Sequence, residues 1–431
     1  MSASHDTGGS SNIAQGVDSR RAALTVLDAV LRHGKSVDAA TGRAFRHLKR
    51  ADDRGLAAAI VGEVLRRLPD YDRLIDSATK NPLPDDAKAR MVLRMALAQA
   101  LALNTPHHAA ISTALPLLAG GPKRLAHGVF GTLSRGNATL PDIPTLPEPI
   151  AARWSAAWGD AMVASAAKAI AAPPPLDLTL AKPEETEAMA AALEGTSLLP
   201  GHVRRERAAV TTLPGYADGQ WWVQDIAASL PARLLGPGEG RTALDLCAAP
   251  GGKTLQLAAQ GWTVTALDRA ESRLARLSEN LARTGLSAEL VTADALQWAA
   301  PAEAYDAILV DAPCSATGIF RRHPDVLYRA SPRVIAECAE IQAAMLDRAS
   351  RWLKPGGTLV YAVCSLETAE GEAVARAFLE SHPAFAIAPI DEVALPAGLA
   401  VAPEGWLRIL PGQLADPGGS DGFFIVRFRH S

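Results

Sequence analysis

From Arg241 onward, short apolar runs alternate with stretches of helical periodicity, and few folds accommodate that alternation. Thr242–Leu246, Thr263–Leu267, Ala288–Val291, Ala307–Val310, Thr358–Val363 and Phe423–Phe428 read as strands. Thr254–Gln260, Glu271–Arg283, Arg333–Leu353 and Glu367–Ser381 read as helices. Parallel strands need crossovers long enough to hold a helix, so the pattern predicts a doubly wound, mostly parallel sheet of the Rossmann-like α/β class. Ligands of such sheets bind beyond the carboxyl ends of the strands, which is where chemistry is sought.

The front of the chain has another texture. Leu24, Leu27, Val30 and Leu31 recur at helical spacing after Asp18–Ser19, and Asp52–Asp53 precede Leu56, Ile60, Val64 and Leu68. Val37–Leu48, Tyr71–Ala78, Asp85–Leu103, His107–Leu118 and Lys123–Leu133 repeat the pattern without any alternating run, which predicts an all-α bundle over 18–140. Residues 1–17, polar and rich in Ser and Gly, read as a disordered tail with no secretory core. Pro141, Pro144, Pro147 and Pro149 open a stiff linker, 141–175, that carries a helix around Trp154–Ile170. A mixed segment, 176–236, has no legible fold and leads into the α/β domain at 237–431.

Charge separates the two ends. The net charge is −3, yet residues 1–140 hold 19 Lys and Arg against 12 Asp and Glu, leaving 24 against 34 for the remainder. A basic front domain points to a polyanionic partner. No apolar run reaches the length of a membrane span, and four cysteines at uneven spacing make neither a disulfide framework nor a paired zinc site. The expectation is a cytoplasmic monomer with free thiols, without metal or membrane. His107-His108 and Trp221-Trp222 lack further ligands or aromatic neighbours and read as structural.

The first strand runs into Cys247-Ala248-Ala249-Pro250-Gly251-Gly252-Lys253, a small-residue turn opening a helix, where backbone can approach a ligand. Asp268 and Asp294 end the next two strands, placed to accept hydrogen bonds from a ribose and an adenine. Gly252-Lys253-Thr254 imitates a phosphate loop and Ile308–Asp311 the acid strand of an NTPase, but Cys247 stands where that loop requires glycine. An adenosyl ligand without a phosphate chain, S-adenosyl-L-methionine, fits better. A P-loop-like NTPase remains the alternative, and a catalytically inactive RNA-binding module is a third. The last parallel strands end in Asp311-Ala312-Pro313-Cys314-Ser315 and Val363-Cys364-Ser365, so two thiols stand at strand ends beside an acid. Cys338, inside a helix, reads as structural.

Val223-Gln224-Asp225, Asp245–Thr254, Asp311–Asp325 (DAPCSATGIFRRHPD), Leu353–Gly357, Cys364-Ser365 and Gly419–Phe424 together resemble the Nol/Nop/Sun family of RNA cytosine-C5 methyltransferases, its bacterial 16S rRNA methyltransferase B group in particular. The helical front resembles the NusB-like RNA-binding domain of that group. Two departures stand out: Val363 replaces the usual Thr before the second thiol, and a usual Arg-x-Asn strand motif appears only as Leu178-Thr179-Leu180. The resemblance implies a multidomain chain, an all-α NusB-like bundle plus a class I methyltransferase domain, acting on RNA, 16S rRNA above all. It implies Cys364 as the nucleophile adding to cytosine C6, Cys314 as the thiol assisting release, Asp311 at the base edge, and Lys253 orienting it. Asp311 and Lys253 also border the cofactor turn. Arg321, Arg322 and His323 follow the Cys314 motif and are expected to position RNA phosphates.

Overall fold

The computed structural model describes residues 8–431, which form two compact units. One comprises the chain to Ala156 with Ala166–Ala172 and Arg322–Arg329; the other comprises Ala157–Ser165, Pro173–Arg321 and Ala330–Ser431. Residues 1–7 of the expected tail lie outside the described residues, but its remainder does not stay unfolded. A helix runs Gly8–Leu31, with Val17 buried, and Asp18 lies inside it, paired with Arg21 one turn on. Among the described residues no helix is long and apolar enough to cross a membrane.

The helical unit packs Val26, Leu27 and Val30 against Ile60, Val64 and Leu65 and against the helix Lys88–Leu101. Every residue of that helix from Ala89 to Gln99 is buried, as expected of a helix surrounded by others. It carries two arginines into the interior, both held by acids of the helix Leu68–Ser77: Asp72 takes Arg94 at 2.7 and 2.8 Å and Arg90 at 3.0 Å, and Asp76 takes Arg90 at 2.5 Å. Arg20 and Arg66 are buried too, so part of the front domain's positive charge faces inward.

The expected linker is a packed strap. Arg67 donates to the Pro141 carbonyl at 2.7 Å and Asp70 accepts from the Thr145 N–H at 3.0 Å, while Leu146, Ile150 and Trp154 are buried. Proline here pre-sets an extended path for a segment whose other residues supply the anchors. Residues 322–329 belong to the same unit: Asp325 accepts the Val37 N–H, Tyr328 donates to the Leu65 carbonyl at 2.8 Å, and Arg329 donates to the Gly34 carbonyl at 3.0 Å.

In the second unit, the segment without a legible pattern forms a small antiparallel sheet, β2-β1-β3, from β1 (Leu176–Leu180), β2 (His202–Arg205) and β3 (Trp221–Val223). Leu178 and Leu180 pack with Val203 and Trp221, and Asp177 is buried in a two-pronged bond to Arg204 at 2.6 and 2.7 Å. Burial on both faces of β1 is why its alternation gave no clear solvent side.

The main sheet follows in β4 (Thr242–Leu246), β5 (Thr263–Asp268), β6 (Glu289–Thr292), β7 (Tyr305–Asp311), β8 (Leu353–Val363), β9 (Phe385–Ile387) and β10 (Leu407–Ile409). The short β11 (Pro411–Leu414) stays outside it, and β12 (Phe423–His430) completes it. Strand order is β10-β12-β8-β7-β4-β5-β6, with β9 also on β12. The five strands β4 to β8 run parallel, and β12 returns antiparallel against β8. The chain fills one side of β4 with β5 and β6, then crosses to β7 on the other side, so the switch point lies at the carboxyl ends of β4 and β7.

Two expected boundaries move. β8 begins at Leu353, which pairs with Tyr305 across a register shift, so the expected strand start at Thr358 moves back to the residue expected to end the helix. The helix expected from Glu367 starts at Glu372, because Gly371 departs from helical backbone and Glu370 folds back to bond the Ser365 hydroxyl.

Candidate active site

The turn after β4 reverses sharply: Cys247 and Gly251 both have positive φ, 63° and 113°. At Gly251 a side chain is excluded twice over, by that φ and by Leu277, whose Cδ1 would lie 2.2 Å from an added Cβ. The turn delivers Gly252 to the first position of the helix Gly252–Ala259 and Lys253 to the second, beside β7. There the Lys253 ammonium bonds the Asp311 carboxylate at 2.7 Å and lies 5.5 Å from the Phe423 ring centre. Burial alone would depress Lys253, but Asp311 more than offsets it, helped by Cys364 and Asp245, and its pKa lies above the ordinary lysine value.

The two strand-end thiols meet. Cys314 follows β7 and Cys364 follows β8, and their sulfurs stand 3.5 Å apart. Adjacent parallel strands impose this, since Asp311 pairs in register with Ala362 and each thiol comes within three residues of that pair. The hydrogen bond to Cys364, then burial, then the charges of Cys364 and Glu370 push the Cys314 thiol well up. Val363 is fully buried in register with Phe424, so where the resembled family has a hydroxyl this chain has apolar packing. Leu178 and Leu180 likewise belong to a core, and Thr179 is buried between them.

The cofactor-side acids occupy the same edge of the sheet. Asp268, ending β5, accepts from the Ala249 and Ala270 N–H groups at 3.2 and 2.9 Å and is 2% exposed; Asp294, after β6, is exposed and accepts from the Leu296 N–H. Ala248 and Ala249 are buried, leaving Pro250 at the outer bend. Acids border this turn: burial and then Asp311, Asp268 and Asp245 push the Cys247 thiol up to about 12, with Arg273, 3.3 Å from Asp268, opposing. Burial raises the Asp245 carboxyl to about 7, the Thr254 hydroxyl bond at 2.6 Å opposing. Such a cradle repels a polyphosphate and suits a cation flanked by hydroxyl and amino donors. A sulfonium nucleoside therefore fits these residues, and the NTPase alternative does not.

The three basic residues after the Cys314 motif part company. Arg321 turns inward, 6% exposed, and donates to the Gly418 carbonyl at 2.6 Å, so its guanidinium ties the Gly418–Gly419 loop instead of facing a phosphate. Arg322 is exposed and His323 half-buried, both on the segment that belongs to the helical unit. Of the two paired motifs, Trp221 and Trp222 are buried and donate to the Pro214 carbonyl and Gln224, while His107 and His108 are exposed, His107 bonding Ser134. Among the described residues no three His, Cys, Asp or Glu side chains group to hold a metal ion.

Sequence reasoning missed what lies beneath the thiols. Glu370, fully buried, accepts from the Ser315 N–H at 2.7 Å and the Ser365 hydroxyl at 2.5 Å and also bonds the Ser315 hydroxyl. Arg408, from β10, donates to the Ser365 carbonyl at 2.5 Å and pairs with Glu372 at 2.9 and 2.6 Å. The signal was present in Cys-Ser occurring twice, since each serine extends its thiol's turn toward a shared acceptor.

Comparison with known proteins decides the family. Ribosomal RNA small subunit methyltransferase B of Xylella fastidiosa strain Temecula1 is 36% identical over 435 residues, covering 96% of this chain and 98% of the relative. The chain belongs to the ribosomal RNA small subunit methyltransferase B family. The Salmonella arizonae member is 43% identical over 236 residues, 53% of this chain and 51% of its own. Family models agree by region: "16S rRNA methyltransferase RsmB/F" matches residues 232–429, and the NusB family matches 17–120. Among solved structures, PH0851 superposes with a TM-score of 0.72 at 22% identity, covering 95% of this chain and 98% of that one. A methyltransferase homolog protein from Pyrococcus horikoshii does so at 0.55 and 25% identity, covering 66% and 95%. As a small-subunit rRNA methyltransferase of this family, the chain holds all four residues named for catalysis within the 232–429 match, at the switch point of its sheet.

Proposed function

We propose that this enzyme transfers a methyl group from S-adenosyl-L-methionine to C5 of a cytosine in 16S rRNA through a transient bond between Cys364 and C6. The observation that carries the reading is the pair of thiols 3.5 Å apart at the ends of β7 and β8, beside the Lys253–Asp311 pair. Cytosine C5 is too electron-poor to take a methyl group unaided, and a thiolate at C6 makes it enamine-like. Bound between the Cys247–Lys253 turn, Asp268 and Asp294, S-adenosyl-L-methionine supplies an electrophilic methyl group. Asp311 holds the N3/N4 edge of the base, and Lys253 fixes Asp311 and keeps positive charge close to Cys364. The S–C6 bond forms as the C5–C6 π pair shifts toward C4 and N3, and C5 then takes the methyl carbon while the pair of the broken methyl–sulfur bond leaves with S-adenosyl-L-homocysteine. To finish, the C5 proton passes to water, its electron pair restores C5=C6, and the S–C6 pair returns to the Cys364 sulfur with the Cys314 thiol alongside. Arg322 and His323 remain the candidates for guiding the RNA strand.

The test is a denaturing gel of protein with labelled rRNA. Cys364→Ala is expected to show neither methyl transfer nor adduct, and Cys314→Ala is expected to accumulate a denaturant-resistant adduct. The reverse pattern would make Cys314 the nucleophile, and adduct from neither single variant nor wild type would remove the covalent route.

A further inference from the structure

Two thiols 3.5 Å apart pose a problem that the reading above leaves open: one must attack while the other keeps its proton. Their surroundings differ. The Lys253 ammonium senses the charge of Cys364, whereas Cys314 senses Cys364 first and then Glu370. Glu370 enters from the turn before the helix Glu372–Ser381 and sits under both serine-bearing turns. One carboxylate oxygen accepts the Ser315 N–H at 2.7 Å and the Gln342 amide at 3.2 Å; the other takes the hydroxyls of Ser315 and Ser365, which are 3.2 Å from each other. A carboxylate receiving this many donors is fixed in place, and its charge is shielded little where it is buried.

We infer that Glu370 is a positioning residue of the two-thiol site: it joins the turn after Cys314 to the turn after Cys364, and its negative charge assigns the pair's single proton to Cys314. This rests on Cys364 being the nucleophile. The groups facing the Cys314 sulfur are Cys364, Glu370, the Tyr361 phenol and the Ala316 N–H, with Cys338 beyond Glu370 and Lys253 on the Cys364 side. The retained proton has a use. When the S–C6 bond breaks, the Cys364 sulfur takes the bond pair and leaves as a thiolate, and the Cys314 thiol donates a hydrogen bond to it while keeping its proton, so the pair again holds one.

The experiment needs no RNA. The full chain is exposed to limiting iodoacetamide from pH 6 to 9 and alkylation of each cysteine is read by mass spectrometry, for wild type, Glu370→Gln and Glu370→Asp. Wild type is expected to alkylate Cys364 at lower pH than Cys314. Glu370→Gln keeps the shape and most of the hydrogen bonds but not the charge, and it should raise the Cys314 share by about tenfold, the change one pK unit brings. Glu370→Asp, which retains the charge, should restore a wild-type ratio. A merely structural glutamate would lower the melting temperature in Glu370→Gln without moving the ratio, and that result overturns the inference. So does a wild type in which Cys314 reacts first, whether or not Glu370→Gln folds. A missing RNA adduct in Cys314→Ala would instead remove the nucleophile assignment and leave the alkylation ratio standing.

Discussion

Arg408 offers a direct measure of how firmly the Cys364 turn is held. Its guanidinium pairs with Glu372 through two bonds, donates to the Ser365 carbonyl, and lies 5.2 and 5.0 Å from the ring centres of Trp158 and Phe424. Both members of the ion pair are 8% exposed. Arg408→Met leaves Glu372 buried without its partner, which costs about 3–5 kcal/mol, whereas Arg408→Met with Glu372→Leu removes both charges and is expected to recover most of that loss. Glu372→Leu alone leaves Arg408 with the Ser365 carbonyl and two ring faces and should cost about 2–3 kcal/mol. With about 1 kcal/mol of loss left in the double variant, the coupling energy of the cycle is then roughly 4–7 kcal/mol. Urea unfolding of the full chain, followed by tryptophan emission, reads it: at a slope of about 2 kcal/mol/M the Arg408→Met midpoint falls by roughly 1.5–2.5 M. Methyl transfer separates stability from positioning, because the double variant regains the fold but not the donor to Ser365, and its kcat should stay roughly tenfold down, the equivalent of about 1.4 kcal/mol. Additive single variants, or a double variant with full kcat, would refute the account.

Asp245 predicts a pH signature. Its carboxyl is raised by burial to about 7, so the stability it contributes is complete below the unfolded carboxylate range and is lost as pH rises through 7. Asp245→Asn, which can still accept the Thr254 hydroxyl, should flatten stability between pH 4 and 7 and melt higher than wild type at pH 8, and a parallel pair of melting curves would contradict this. For RNA, the exposed Arg46 and Lys49 should each supply a phosphate contact, so Arg46→Ala with Lys49→Ala lowers the slope of log affinity against log salt by about 0.7 per lost contact. Filter binding over a salt series shows whether the slope moves. In calorimetry, Asp268→Ala should weaken S-adenosylhomocysteine binding at least tenfold, and ATP binding at the same turn would contradict the acid-bordered cradle.

What could be read in the chain was what repeats. Six of the eight strands of the main sheet and the two thiols at strand ends were visible, because strands buried on both faces leave apolar runs and place chemistry where they stop, whereas the three-residue β9 and β10 leave no such run. β1 was not visible, since its polar face is also inside and Asp177 is matched by Arg204 and the Ile226 N–H, 27 and 49 positions away. Nor was the fate of Arg321: a basic run looks the same whether its guanidinium faces solvent or, as here, the carbonyl of Gly418, 97 positions on. Glu370 sat in what read as the first turn of a helix, where acids are common for reasons of helix polarity alone. Only the fold shows that it leaves that turn.

The helical unit is not a continuous piece of chain, and this has a consequence in time. Asp325, Tyr328 and Arg329, which bond the Val37 N–H, the Leu65 carbonyl and the Gly34 carbonyl, are made about 150 residues after Ala172. At ordinary rates of bacterial protein synthesis that interval is roughly 10–30 s, long compared with helix formation and side-chain packing. The nascent bundle therefore waits, with those three acceptor and donor sites still hydrated, until the ribosome has passed β7. A fragment ending at residue 140 would stay in that waiting state permanently, lacking both the strap that follows and the late segment.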